Sequence, residues 1–208
     1  MSREELVLNT YKNFCNADGN QHIASEYAIL KLQKIIERFG IENVLEIGLG
    51  IGAIAGSLLS ANTHIEYSGT ENNEFCLDAL KKNLGENYRK LEVFSKLCEV
   101  PQRKFDLIII DGKDPELKKI QKLLTRNGVI AIEGDRMPQQ ERLRKYFPKH
   151  KYVHSISNKK NATYSPFPPA HWQGGLKVIF VNPNFEQKCW WIKEKLSTKF
   201  KYLYRNKN

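Results

Sequence analysis

The run Glu46-Ile47-Gly48-Leu49-Gly50-Ile51-Gly52 constrains this chain more than any other feature, because it joins an apolar segment at residues 44–47 to a helix-patterned one at 53–59. Glycine at alternate positions lets a backbone turn sharply from strand to helix and lets a ligand lie against the main chain. A strand entering a helix in this way opens a βαβ unit, and the rest of the sequence continues the pattern. Apolar residues recur at helical spacing over 25–39, with Gly40 as a stop. Strands are expected at 64–68, 91–94, 105–110, 129–132, 152–156 and 176–181, and helices at 72–84, 115–124 and 138–146. Residues 105–110 (FDLIII) show no alternation, as a parallel strand covered on both faces requires. The expected fold is therefore α/β, a doubly wound and mostly parallel sheet of seven strands. The irregular stretch between the last two strands suits an antiparallel addition at the sheet edge.

Length and composition narrow this further. With 208 residues, 41% hydrophobic and 27% charged, the chain has room for one core and excludes collagen, whole-chain disorder and a disulfide mini-protein. The four cysteines are scattered, without a zinc-type spacing, and read as reduced. The N-terminus lacks a signal-peptide apolar run and no stretch reaches membrane-span length, so the expected compartment is the cytoplasm. The net charge is +10, and residues 186–208 carry half of it, with seven Lys/Arg against two Glu. The chain accordingly divides into a domain at 1–185 and a basic amphipathic C-terminal helix at 186–208.

The glycine turn alone leaves two ligands open. Gly48, Gly50 and Ala53 satisfy the dinucleotide fingerprint, and Glu71, after the second strand, is placed to hold ribose hydroxyls in either case. Glu46 favours a ligand with a cationic portion, since a pyrophosphate would be repelled by a carboxylate there.

The ordered segments VLEIGLGIG, GTEN, FDLIIIDGKD and LLTRNGVIAIEGD resemble the class I S-adenosylmethionine-dependent methyltransferases over residues 23–132. The run IASEYAILKLQKIIERFGIENVLEIGLGIG is similar to the opening of the small-molecule, catechol-type O-methyltransferases. The resemblance implies a seven-stranded Rossmann-like sheet with its last strand antiparallel and S-adenosylmethionine across the strand ends. Glu46, Gly48, Gly50 and Gly52 would line its methionine and ribose, Glu71 would hold the ribose hydroxyls, and Ser95 would meet the adenine edge. Metal-dependent relatives end the fourth strand in Asp and the fifth in Asp-Asn to hold magnesium. Here Asp111 matches, but Glu133-Gly134 replaces the pair. Mg2+ is compatible with Asp111 plus Glu133 or Asp135, and the missing Asn weighs against it.

Methylating a hydroxyl requires removal of its proton. Candidate bases are Asp111, Glu133, Asp135, a desolvated Lys113 and His171, which stands in the aromatic, proline-rich loop 164–175. That loop reads as a substrate lid or as a rigid segment packed on the last strand. Asp111 alternatively caps a helix, Asp135 and Arg136 alternatively pair at the surface, and His22, His64, His150 and His154 read as surface or packing residues. The expected acceptor is a hydroxyl of a small molecule or glycan. Nothing in the sequence would read nucleic-acid bases, so a sequence-specific nucleic-acid partner is not expected. An NAD(P)-dependent oxidoreductase and a non-catalytic methyltransferase-like binding protein are the alternatives.

In the tail, Cys189, Ile192, Leu196, Phe200 and Leu203 form one apolar stripe among lysines. Such a stripe fits docking on the domain, docking on a second copy as a homodimer, or peripheral contact with a membrane interface. Docking on protein is the favoured expectation.

Overall fold

The structure, a computed structural model, describes residues 1–207; Asn208, the last residue of the expected terminal segment, lies outside the described residues. Strand β4 (Phe105–Ile110) runs through the middle of the sheet, with Leu107 and Ile109 facing one layer and Ile108 and Ile110 the other. Around it lie β1 (Asn43–Ile47), β2 (Glu66–Thr70), β3 (Leu91–Phe94), β5 (Leu124–Glu133), β6 (Lys151–Ser155) and β7 (Leu176–Phe180). Their order, β3-β2-β1-β4-β5-β7-β6, is that of the expected doubly wound sheet. β7 runs antiparallel to both its neighbours and the other ladders are parallel. The expected antiparallel edge is refined in one respect: β7 inserts between β5 and β6 and leaves β6 at the edge. Burial explains the order, because every residue of β7 is buried whereas β6 is partly exposed.

One face of the sheet carries α1 (Arg3–Cys15), α2 (Glu26–Phe39), α3 (Ala53–Ala61), α4 (Glu74–Leu84) and α7 (Phe185–Arg205). The other carries α5 (Ile120–Leu123) and α6 (Met137–Tyr146). The helix expected at 115–124 is broken into a 3-10 turn, Leu117–Lys119, and the single turn α5. Asp114 does not cap a long helix: one oxygen accepts from Glu116 N (2.7 Å) and the other from Leu97 N (3.2 Å), tying the loop after β4 to the loop after β3.

A helix not expected from the periodicity stands at the N-terminus. α1 begins with a capping box in which Glu5 N donates to Ser2 Oγ (3.2 Å) and Ser2 N to Glu5 Oε2 (2.6 Å), and the Ser-x-x-Glu spacing is its sequence signal. Val7, Tyr11, Phe14 and Cys15 bury against α3. Phe14 comes so close that a Cβ on Gly56 would lie 2.7 Å from its ring.

The docking of α7 reverses the expectation drawn from its stripe. Helix α7 does pack on the domain, but through Gln187, Glu194 and Thr198, while Ile192, Leu196, Phe200 and Leu203 are exposed. Polar partners on the domain explain this choice of face. Lys31 pairs with Glu194 at 2.9 Å, each side chain only 11–12% exposed, Ser155 also donates to Glu194, and Trp191 Nε1 donates to Tyr152 O at 2.7 Å. Trp190 packs edge-on against Phe39 and Phe180.

Burial pushes the Glu194 carboxyl up, but the Lys31 charge, the Ser155 hydrogen bond and Lys201 outweigh it and hold the group below its ordinary value. A depressed carboxyl contributes stability above its unfolded-state value and loses it as pH falls through the folded one. Glu194→Ala strands a buried Lys31 and is expected to lower the unfolding free energy by about 3 kcal/mol at neutral pH. Urea unfolding should show that deficit narrowing below about pH 4; a deficit independent of pH would contradict the pairing.

Candidate active site

β1 delivers the glycine turn to the carboxyl edge of the sheet. Gly48 N and Leu49 N donate to Thr70 O at 3.1 and 3.0 Å, which holds the turn against the end of β2. Gly48 has φ +89°, and a Cβ there would stand 2.5 Å from Gly112 Cα, so only glycine lets the ends of β1 and β4 approach this closely. Gly50, at φ +53°, faces open space where its Cβ would be.

That space is a cavity of about 370 Å³ lined by Glu46, Leu49, Gly50, Phe75, Cys76 and Asp111, with Gly19 to Ala24 across its top. Strand alternation turns Glu46 away from Leu45 and Ile47. Its carboxyl group is fully buried. Oε2 accepts from Tyr67 OH at 2.5 Å and Oε1 has no partner. Burial pushes Glu46 well above the usual carboxylate range; the Tyr67 hydrogen bond opposes this, and the nearby Asp111 and Glu71 carboxylates add to it.

The remaining expected cofactor residues divide. Gly52 starts α3. Glu71 stands behind Gly50 and accepts its N–H at 2.8 Å, with Asn72 N and Asn73 N on its other oxygen at 2.9 Å each. Ser95 is exposed, donates its backbone N–H to Glu99 at 3.0 Å, and is not among the residues lining the cavity.

A second cavity, about 340 Å³, is lined by Glu133, His171, Phe167, Trp172 and Ser25, and shares Gln21, His22 and Ile23 with the first. The structure thus brings Glu133 and His171 to one cavity and Asp111 to the other. His22, expected to be a surface or packing residue, stands at both; no motif marks it. The loop that carries His171 is anchored, with Ser25 Oγ donating to Gly174 O at 3.3 Å and Tyr164 OH to Glu26.

Between the cavities lie Asp111 and Glu133. In the parallel β4–β5 register Ile110 stands opposite Ile132, so the two acids are the next step on each strand. Glu133 donates a hydrogen bond to Asp111, and Ser25 N donates to Glu133. Arg136 closes the cluster: its Nη2 reaches Asp111 Oδ1 at 3.1 Å and its Nε donates to Glu133 O at 3.0 Å. Burial, opposed by Arg136, pushes Asp111 up to about 6. Burial and then the Asp111 charge push Glu133 up to about 8. Near neutral pH the pair therefore holds one proton.

Three expectations are corrected by this arrangement. Asp111 pairs with Arg136 and does not cap a helix. Asp135 does not pair with Arg136; it is exposed and faces Lys177 at 3.5 Å, because Gly134 at φ +72° turns the chain outward. Lys113 is exposed and so is not desolvated. Asp111, Glu133 and Asp135 do not converge as a divalent-cation site, since Arg136 pairs with Asp111 and Asp135 turns outward to Lys177. Among the described residues, no three His, Cys, Asp or Glu side chains are grouped to hold a metal ion.

The family model for the methyltransferase small domain matches residues 19–155. No curated protein sequence matches the chain. Among solved structures, an O-methyltransferase from Bacillus cereus in complex with SAH is similar at 17% identity and TM-score 0.56, covering 86% of this chain and 90% of that one. The O-methyltransferase TomG from Streptomyces achromogenes, in complex with SAM, is 12% identical with TM-score 0.56 over 88% and 90% of the two chains. A tRNA (m1A58) methyltransferase from Aquifex aeolicus is 17% identical with TM-score 0.60, over 86% and 75%. At these identities the likeness establishes a shared fold.

A carboxyl group held protonated by the fold weakens the folded state as pH rises from its unfolded value of about 4 to its folded value of about 8. Glu133→Gln removes that liability. Its melting temperature relative to the wild type is expected to be higher at pH 8 than at pH 5; a difference that is flat across this range would contradict the shared proton.

Proposed function

Because the chain belongs to the methyltransferase small-domain family, we propose that it transfers a methyl group from S-adenosylmethionine to a hydroxyl of a small molecule or glycan. Family membership sets aside the oxidoreductase reading. The observation that carries the proposal is the unpaired buried oxygen of Glu46 in the glycine-lined cavity, one proton-sharing pair away from a second cavity. A lone acceptor in low dielectric is costly unless a ligand donor reaches it, and the ammonium group of a methionine moiety is such a donor.

The residues fit that cofactor. Glu46 Oε1 would accept from the ammonium. Gly50 keeps a side chain out of the cleft, Gly48 lets β1 and β4 meet beneath it, and Gly52 lets α3 begin beside it. Glu71, with three N–H groups on a carboxylate that offers about four acceptor sites, orients Gly50 and keeps one site for a ribose hydroxyl. Phe75 and Ile51 give an apolar wall suited to a flat base. When bound, S-adenosylmethionine supplies an electrophilic methyl carbon on a sulfonium.

The chain's own part in the chemistry is proton handling and positioning. An acceptor in the second cavity would lie against Glu133 and His171. Glu133 takes the hydroxyl proton as its own proton passes along the existing hydrogen bond to Asp111, so the pair ends with both groups neutral. Arg136 stays charged throughout and fixes the Asp111 carboxylate in place. Asp111 must start ionised, so kcat/KM is expected to rise with pH through about 6.

Glu133→Gln should lower kcat/KM by about 10²–10⁴-fold while calorimetry shows S-adenosylhomocysteine affinity within about two-fold of wild type. Glu46→Gln should weaken that affinity by about ten-fold or more, the cost of a lost charged hydrogen bond. Absence of any binding of S-adenosylmethionine or S-adenosylhomocysteine would sink the proposal. Binding without transfer to a broad acceptor panel would favour a methyltransferase-like binding protein.

A further inference from the structure

Helix α7 presents to the outside a face the methyl-transfer chemistry does not use. Phe185 is 82% exposed, Leu196 55% and Phe200 69%, and Ile192 and Leu203 continue the same stripe. At 100° per residue, Lys188, Lys195 and Lys199 fall on one flank of the stripe and Lys193 on the other. Lys151 and Arg144 extend the first flank beside Trp191. The result is an apolar ridge bordered by cations on both sides.

The acids of α7 do not soften this pattern. Glu186 is paired with Arg38 at 3.0 Å and Glu194 with Lys31 at 2.9 Å. A second copy seated on this ridge across a two-fold axis would therefore set lysine against lysine, with no acid of α7 left to meet them. An anionic lipid surface matches both parts at once, since acyl chains accept the ridge and headgroup phosphates accept the flanking lysines.

We propose that the outer face of α7 binds the surface of an anionic phospholipid bilayer, with the helix lying in the plane of the interface. No helix among the described residues is long and apolar enough to cross a membrane, and the ridge needs only to enter the headgroup boundary. The last turn of α7 also holds the loop that lines the second cavity: Arg205 donates to Ser157 O at 2.7 Å and to Gln173 O at 3.0 Å, and Tyr204 packs edge-on against Trp172 at 6.0 Å. A bilayer under α7 lies alongside that loop.

The test is flotation of the full chain with vesicles of phosphatidylcholine alone and with about one-third phosphatidylserine, at about 0.1 M salt. The expected result is binding to the anionic vesicles at least ten-fold above the neutral ones, released near 1 M salt, where the Debye length falls to about 3 Å. The double substitution Leu196→Glu with Phe200→Glu, and separately Lys188→Glu with Lys199→Glu, should each cut binding at least ten-fold without moving the melting temperature, because all four side chains are exposed. Failure to float with anionic vesicles would overturn the proposal. So would a lipid-free dimer that Leu196→Glu with Phe200→Glu converts to monomer.

Discussion

Two carboxyl groups buried one step beyond the β4–β5 ladder resist ionising together near neutral pH, and much of the site follows from that. Asp111 and Glu133 meet because parallel register sets residue 111 beside residue 133. The shared proton lets the pair sit beside a single Arg136 without an unpaired negative charge in low dielectric. It also sets the pair's chemistry. One member faces the cleft with Glu46 and the other faces the cavity with His171, so the one mobile proton lies on the boundary between two binding spaces.

The glycines serve this geometry from the opposite strand. Gly48 exists so that β1 and β4 can touch at their ends, and that contact sets Glu46 and Asp111 on the same cavity. The N-terminal segment completes the enclosure: α1 anchors on α3, and Gly19 to Ala24 crosses above the turn. Gln21, His22 and Ile23 line both cavities, and Arg136, at the start of α6, holds Asp111 between them.

The strands and the glycine turn were legible because their side chains have one strong periodicity and one special backbone demand. FDLIII could only be a strand covered on both faces, and the ordered acids Glu46, Glu71, Asp111 and Glu133 marked the strand ends. Orientation was not legible. Nothing local distinguishes Arg136 turning towards Asp111 from Arg136 pairing with Asp135, because the choice depends on Gly134 reversing the chain. Ser95 follows β3 as expected, and its backbone N–H donates to Glu99. For α7, hydrophobic periodicity alone gave the wrong buried face. Lys31, Ser155 and Tyr152 on the domain offered polar partners strong enough to win, and only tertiary structure reveals them. Of the basic residues of the tail, Lys188, Lys193, Lys195 and Lys199 border the outward ridge, whereas Lys201 and Arg205 turn to the domain.

The central claim is that Asp111 and Glu133 hold a single proton between them at neutral pH. Carbon-13 NMR titration of the two side-chain carboxyl carbons measures this directly. The account predicts coupled steps with apparent values near 6 and 8. Two independent titrations close to the ordinary carboxylate value of about 4 would contradict it.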